Sequence, residues 1–179
     1  NVTASPSSQE ISGFVNISAE VVDNIAIDTV FVNITYPDSS SENISITGNK
    51  TGDVYYYNSS YEMMGWYSYF IWSKDTVGNS DVSAVQMFNI GDMTSPVISD
   101  FNVSTSEPLD TDPAFGWVNV SCNVSDNVAV SDVIINIKNP DGSWNNISLD
   151  SLGAISYYLN SSDEFSEVGN YTYHIWAED

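Results

Sequence analysis

Arginine is absent from this chain of 179 residues, and lysine occurs only as Lys50, Lys74 and Lys138, against 24 acidic residues and a formal net charge of -21. So few cations cannot neutralise phosphates, which argues against nucleic acid and anionic lipid as ligands. The charge suits a soluble acidic surface, a high-salt setting or bound cations. Cysteine occurs once, as Cys122, so no intrachain disulfide can form. His174 is the lone histidine. No Ser-His-Asp set, metal-binding histidine cluster or glycine-rich phosphate loop is present, and catalysis finds no support. No segment carries a helical period, and no apolar run is long enough to span a membrane. No signal peptide or targeting tail is visible either.

What is present is a repeat. Residues 13 to 38, GFVNISAEVVDNIAIDTVFVNITYPD, align without a gap on residues 116 to 141, GWVNVSCNVSDNVAVSDVIINIKNPD, with 13 of 26 positions identical. GWYSYFIWSKD, residues 65 to 75, aligns with GNYTYHIWAED, residues 169 to 179. A period of about 100 residues is a whole domain and too long for a solenoid rung. The boundaries read as 1–91 and 92–179, joined by the short link Gly91 to Pro96, which Pro96 stiffens into a semi-rigid connection. Both ends of the chain fall inside the repeat, so it reads as a window on a longer protein. The second copy lacks a counterpart to Ser83–Ile90 and is expected to miss its last strand, supplied by further chain or by a neighbouring subunit.

Period-two alternation runs through each copy. Val15, Ile17, Ala19 and Val21 alternate with Phe14, Asn16, Ser18 and Glu20. Val30, Val32 and Ile34 follow after Asp23-Asn24, and Pro37-Asp38 or Pro140-Asp141-Gly142 ends that strand. Further strands are expected near 44–47, 54–57, 66–74 and 83–90, with a hairpin over Asp75–Asn79. Short strands of this kind make an all-β fold of two tandem immunoglobulin-like antiparallel β-sandwiches. Expected core residues are Val15, Ile17, Val21, Val30, Val32, Ile34, Tyr67, Tyr69 and Ile71 in the first. In the second they are Val118, Val120, Cys122, Val133, Ile135, Tyr171 and Ile175. Tyr67 and Tyr171 stand where a tyrosine corner is expected.

Three constellations could carry function. The sequon Asn-X-Ser/Thr occurs at Asn1, Asn16, Asn33, Asn43, Asn49, Asn58, Asn102, Asn119, Asn123, Asn146, Asn160 and Asn170. These are 12 of 19 asparagines, where the Ser and Thr content alone would place about four. They point to covalent N-glycans. Asp23, Asn24, Asp28, Asp75, Asn79, Asp92, Asp126, Asn127, Asp132 and Asp179 are oxygen ligands on loops that a sandwich gathers at one end, a donor set that suits Ca²⁺. Asp and Asn also cap turns without any ion. Trp72 and Trp176 fall on outward faces, where they stack on sugars, pack against a neighbouring subunit, or lie under a loop of their own domain.

Asp92-x-Thr94-x-Pro96, the Asp-Asn steps at Asp23 and Asp126, the Pro-Asp turns, and Tyr67-x-Tyr69-x-Ile71-Trp72-x-x-Asp75-x-x-Gly78-Asn79 resemble the tandem immunoglobulin-like repeats of archaeal and bacterial cell-surface proteins. S-layer, adhesin and filament glycoproteins are the most similar in style. The resemblance implies extracellular display at the cell surface, partnership with neighbouring repeats or copies of itself, and frequent glycosylation. Two alternatives remain open: a carbohydrate-binding adhesion module, and accessory domains of a secreted enzyme.

Overall fold

The fold starts from the alternation. In a computed structural model of the chain, Val15, Ile17 and Ala19 are buried, and Phe14, Asn16, Ser18 and Glu20 between them are not. The structure describes residues 1–106, 116–161 and 163–179. It is all-β and divides into two units, Asn1–Met93 and Thr94–Asp179. The division falls two residues beyond the boundary read from the repeat and its link.

In the first unit the strands are β1 (Val2–Ser5), β2 (Ser8–Glu10), β3 (Phe14–Glu20), β4 (Ile27–Thr35), β5 (Ser41–Ser45), β6 (Lys50–Thr51), β7 (Val54–Ser60), β8 (Gly65–Asp75), β9 (Ser80–Val82) and β10 (Gln86–Gly91). One sheet has the order β1-β3-β7-β6, the other β2-β10-β8-β4-β5, with β9 also on β8. Pairing is antiparallel except for β2 on β10. The chain thus begins in one sheet and crosses to the other through a cis Ser5-Pro6 bond. Between the sheets lie Val15, Ile17, Val30, Val32, Ile34, Tyr67, Tyr69, Ile71, Phe88 and Ile90, all buried. Tyr67 and Phe88 stack at 4.9 Å and 7°.

The second unit holds β11 (Val97–Thr105), β12 (Val118–Ser125), β13 (Asp132–Lys138), β14 (Trp144–Ser148), β15 (Asp150–Gly153), β16 (Ser156–Ser161) and β17 (Thr172–Glu178). Among the described residues the sheets are β11-β12-β16-β15 and β14-β13-β17. These orders match β1-β3-β7-β6 and β5-β4-β8 of the first unit, so the sequence repeat is a repeat of topology. Val118, Val120, Cys122, Val133 and Ile135 are buried. Burial also raises the Cys122 thiol pKa, so the group stays a neutral thiol.

Three expected core residues are only half-buried. Val21 lies past the end of β3, where its backbone N–H donates to Asp53. Tyr171 immediately precedes β17 and Ile175 lies on it. Among the described residues β17 pairs only with β13, whereas β8 is also flanked by β9 and β10. In the first unit Phe88 lies against Tyr67 and Tyr69. In the second, Phe165 meets Tyr171 edge-on, Phe101 stacks on Tyr173, and Ile175 is left half-buried. The strand expected over 83–90 is interrupted. Ser83 Oγ accepts from the backbone N–H of Ile71 at 3.0 Å, so a side chain takes the place of a ladder carbonyl and β9 ends before β10 begins. The strand expected at 44–47 sits slightly earlier, as β5.

Both tyrosine corners are present. Tyr67 Oη donates to the carbonyl of Met63 at 2.8 Å, and Tyr171 Oη donates to that of Glu167 at 3.1 Å. Gly65, at φ 132°, begins β8 with Pro37 of the turn between β4 and β5 where a Cβ would stand. Gly169 and Pro140 repeat the contact.

Candidate functional site

Strand pairing brings asparagines together in a way the linear sequence hides. Asn16 on β3 stands directly opposite Asn58 on β7, and Asn33 on β4 opposite Asn43 on β5. The second unit repeats both: Asn119 opposite Asn160, and Asn136 opposite Asn146. All are sequon residues except Asn136, which Lys138 deprives of the hydroxyl two positions on. In each pair the asparagine on β3, β4, β12 or β13 is half-buried, while its partner on β7, β5, β16 or β14 is exposed. Asn33 Nδ2 donates to Asn43 Oδ1 at 2.8 Å, and Asn136 Nδ2 donates to Asn146 Oδ1 at 2.7 Å.

None of the twelve sequon asparagines is buried. Asn1, Asn49, Asn102 and Asn170 are exposed outside these pairs. Asn123 is half-buried with its amide engaged at both ends: Nδ2 donates to Asp100 Oδ2 at 2.8 Å, and Oδ1 accepts from Ser156 Oγ at 3.0 Å.

The acidic residues divide by what holds them. Asp75 is 6% exposed, and its carboxylate accepts from the backbone N–H groups of Val77, Gly78 and Asn79 and from Asn79 Nδ2. Burial alone would raise its pKa. The donors outweigh that, and the carboxyl stays below its ordinary range. Asp75 is therefore the cap of the 75–79 hairpin. Asp23 and Asn79 join Asp75 in lining a cleft of about 440 Å³ in the first unit, with Glu20 and Asp81 beside them and Val2, Val21 and Ile71 among its apolar walls. Asp23 Oδ1 accepts from the N–H of Ile25 at 2.7 Å. Asn24 and Asp28 are exposed and do not line the cleft; Asp28 accepts from Thr29 Oγ1.

In the second unit Asp126 Oδ1 accepts from Val128 and Ala129 N–H groups at 2.8 and 3.2 Å, while its Oδ2 is shut from solvent with no hydrogen-bond partner. Asp126 and Asp179 bring carboxylate oxygens within 4.8 Å of each other. Carboxylate oxygens are the ligand type that hard divalent cations take, and this pair would supply part of such a set. Asp132 Oδ1 accepts from Val133 N–H, and Asn127 is exposed. Asp92 belongs to the first unit.

Trp72 and Trp176 both stand on the strand face opposite the buried or half-buried tyrosines and isoleucines, with different cover. Trp176 is 45% exposed, whereas Trp72 is half-buried and tilts against Phe31 at 6.0 Å. Sequence reasoning missed Trp144, 57% exposed on β14, and the cleft of about 310 Å³ that it lines with Asn136, Asn146 and His174. Trp144 meets His174 edge-on at 5.8 Å, and Lys138 Nζ lies 5.9 Å from its ring centroid. The signal was available: in an alternating strand Trp144 must share a face with Asn146.

No helix among the described residues is long and apolar enough to cross a membrane. No family model matches the chain, and no curated protein matches it. Among solved structures, the chain is similar to the fibronectin(III)-like modules of Clostridium thermocellum CbhA, at 18% identity and TM-score 0.38, covering 99% of this chain and 85% of that one. It is similar to a tetra-tandem repeat in the extending region of a large adhesion protein, at 17% identity and TM-score 0.42, covering 98% of this chain and 47% of that one. A third likeness is to carbohydrate-binding modules of the β-sandwich superfamily, at 11% identity and TM-score 0.39, covering 99% and 94%. The strand orders given above, rather than these likenesses, define the fold.

Proposed function

We propose that the chain is a structural segment of an extracellular surface glycoprotein, an array of immunoglobulin-like sandwiches that spans distance in an S-layer, surface filament or adhesin stalk and does no chemistry of its own. The observation that carries this reading is the placement of the sequons. Twelve occur, none of their asparagines is buried, and on β3, β4 and β12 they alternate with buried residues. Sheet faces built this way hold a sandwich core on one side and present acceptor amides on the other. Sugars on those faces would also screen open strand edges from pairing with other chains.

Its partners on this reading are neighbouring repeats or copies of itself. Ca²⁺ at the acidic loops would add rigidity, with Asp126 and Asp179 the best-fitting donors. Display is tested by probing intact cells of the native source with an antibody raised against residues 1–179. Labelling without permeabilisation is expected; labelling only after cells are opened would contradict surface display.

A second reading, a carbohydrate-binding adhesion module, draws on the exposed rings of Trp66, Trp144 and Trp176. Binding of the deglycosylated protein to an immobilised glycan panel separates the two readings.

A further inference from the structure

We propose that in each opposed pair of asparagines the member on the outer strand carries the N-linked sugar, at Asn43, Asn58, Asn146 and Asn160, and that its inner partner stays bare. The proposal rests on the glycoprotein reading and specifies it by site.

Access is the first reason. Among the described residues β5 pairs only with β4, and β14 only with β13. β6 meets β7 at Val54 and Tyr55, short of Asn58, and β15 meets β16 at Ser156 to Tyr158, short of Asn160. Among the described residues each of the four asparagines therefore has an open strand edge on one side. Their partners Asn33, Asn16, Asn136 and Asn119 are half-buried on strands paired along both edges at those positions.

Hydrogen bonding is the second. Glycosylation takes place at Nδ2. That nitrogen forms a bond to the anomeric carbon of an activated glycosyl phosphate donor and loses one proton. The carbon–oxygen bond breaks, and the leaving phosphate keeps its electron pair. In the β4–β5 and β13–β14 pairs one hydrogen of the inner Nδ2 is engaged by the partner's Oδ1, while the outer residue takes part in this bond through Oδ1 and not through its own Nδ2. The second unit supplies an internal control. Asn136 has lost its sequon to Lys138 yet keeps the hydrogen bond to Asn146. The inner asparagine thus serves as a donor that orients its neighbour, with or without a sequon. In the β12–β16 pair, Asn119 Oδ1 is buried without a partner, and a sugar on Asn160 directly opposite would bring hydroxyl donors to it.

Space is the third. Directly opposed residues have Cβ atoms roughly 5 Å apart, too close for two bulky glycans side by side. At Asn146 the structure also provides a seat. Trp144 and His174 line one cleft with it, and an aromatic face beside the amide suits the apolar face of a pyranose.

Site-resolved glycopeptide mapping of the protein from its native source tests this. Sugar is expected on Asn43, Asn58, Asn146 and Asn160, with Asn16, Asn33 and Asn119 bare. Sugar on both members of a pair, or on the inner member alone, would overturn the pairing rule and leave the glycoprotein reading intact. Sugar nowhere would overturn both. His174, the lone histidine, gives a second readout: removal of the glycans should shift its imidazole NMR signals, and unchanged signals would overturn the seat at Asn146.

Discussion

Asn136 donates its side-chain amide to Asn146 at 2.7 Å across β13 and β14, and Asn33 does the same to Asn43 at 2.8 Å across β4 and β5. The two units thus share a polar pair on an outer sheet face as faithfully as they share core positions. Removal of the donor in Asn136→Ala should lower stability by about 1 kcal/mol or less, since both groups remain in reach of water. Chemical denaturation measures it; a loss of several kcal/mol would mean that the pair holds the sheet together.

The tyrosines near the start of β8 give a contrast in sign. Tyr67 Oη is bonded to the Met63 carbonyl, so Tyr67→Phe should cost about 1 kcal/mol. Tyr61 Oη is buried with no hydrogen-bond partner, and burial raises its pKa, so Tyr61→Phe removes an unsatisfied group and should leave stability unchanged or raise it. The second unit already has Phe165 in the corresponding contact with Tyr171. Urea midpoints of the two variants decide; a larger loss for Tyr61→Phe would contradict the assignment.

Gly65 cannot take a side chain without disturbing Pro37 in the turn between β4 and β5. A Cβ there would lie 2.9 Å from Pro37 Cβ, and the backbone already sits at φ 132°. Gly65→Ala should cost more than about 1 kcal/mol. Combined with Pro37→Gly the cost should shrink, because the steric part of it is shared by the two sites. Additive effects in a double-mutant cycle would show that the contact plays no part.

Asp75 sets a pH dependence. Its folded pKa lies below the unfolded value of about 3.9, so its contribution is full above that value and is lost as pH falls through the lower folded pKa. Thermal scans of the wild type and Asp75→Asn should therefore differ by a constant amount from pH 7 to pH 5 and converge in acid. A gap that is the same at pH 3 as at pH 7 would show that ionised Asp75 does not hold the hairpin.

Ca²⁺, if bound by Asp126 and Asp179 in the folded state alone, stabilises that state by an amount that grows with the logarithm of free Ca²⁺ above its Kd. Chelator should lower the melting temperature of the wild type and leave that of Asp126→Asn unchanged. An identical response in both proteins would place any ion elsewhere.

The sandwich was legible because alternation is a local signal: Val15, Ile17, Val30, Val32 and Ile34 declare their face within a few residues. Exceptions arise where a distant group decides. Val21 is released by the end of β3, β9 is cut from β10 by the Ser83 hydroxyl, and Ile175 lies on a strand that among the described residues pairs along one edge only. The sequons were plain as a motif, but their opposition was not. Asn16 and Asn58 are 42 positions apart, and only the β3–β7 register brings them face to face. The acidic loops were grouped by residue type, and the structure sorts them by what they already bond: Asp75 is saturated by its hairpin, and Asp126 keeps a free oxygen.

The central claim is that these sheet faces carry sugar. The intact mass of the segment 1–179, excised from the protein of its native source, tests it most directly. The account predicts a mass well above the bare 19.6 kDa polypeptide, falling to that value when N-linked sugars are removed. A native mass equal to the bare polypeptide would contradict it.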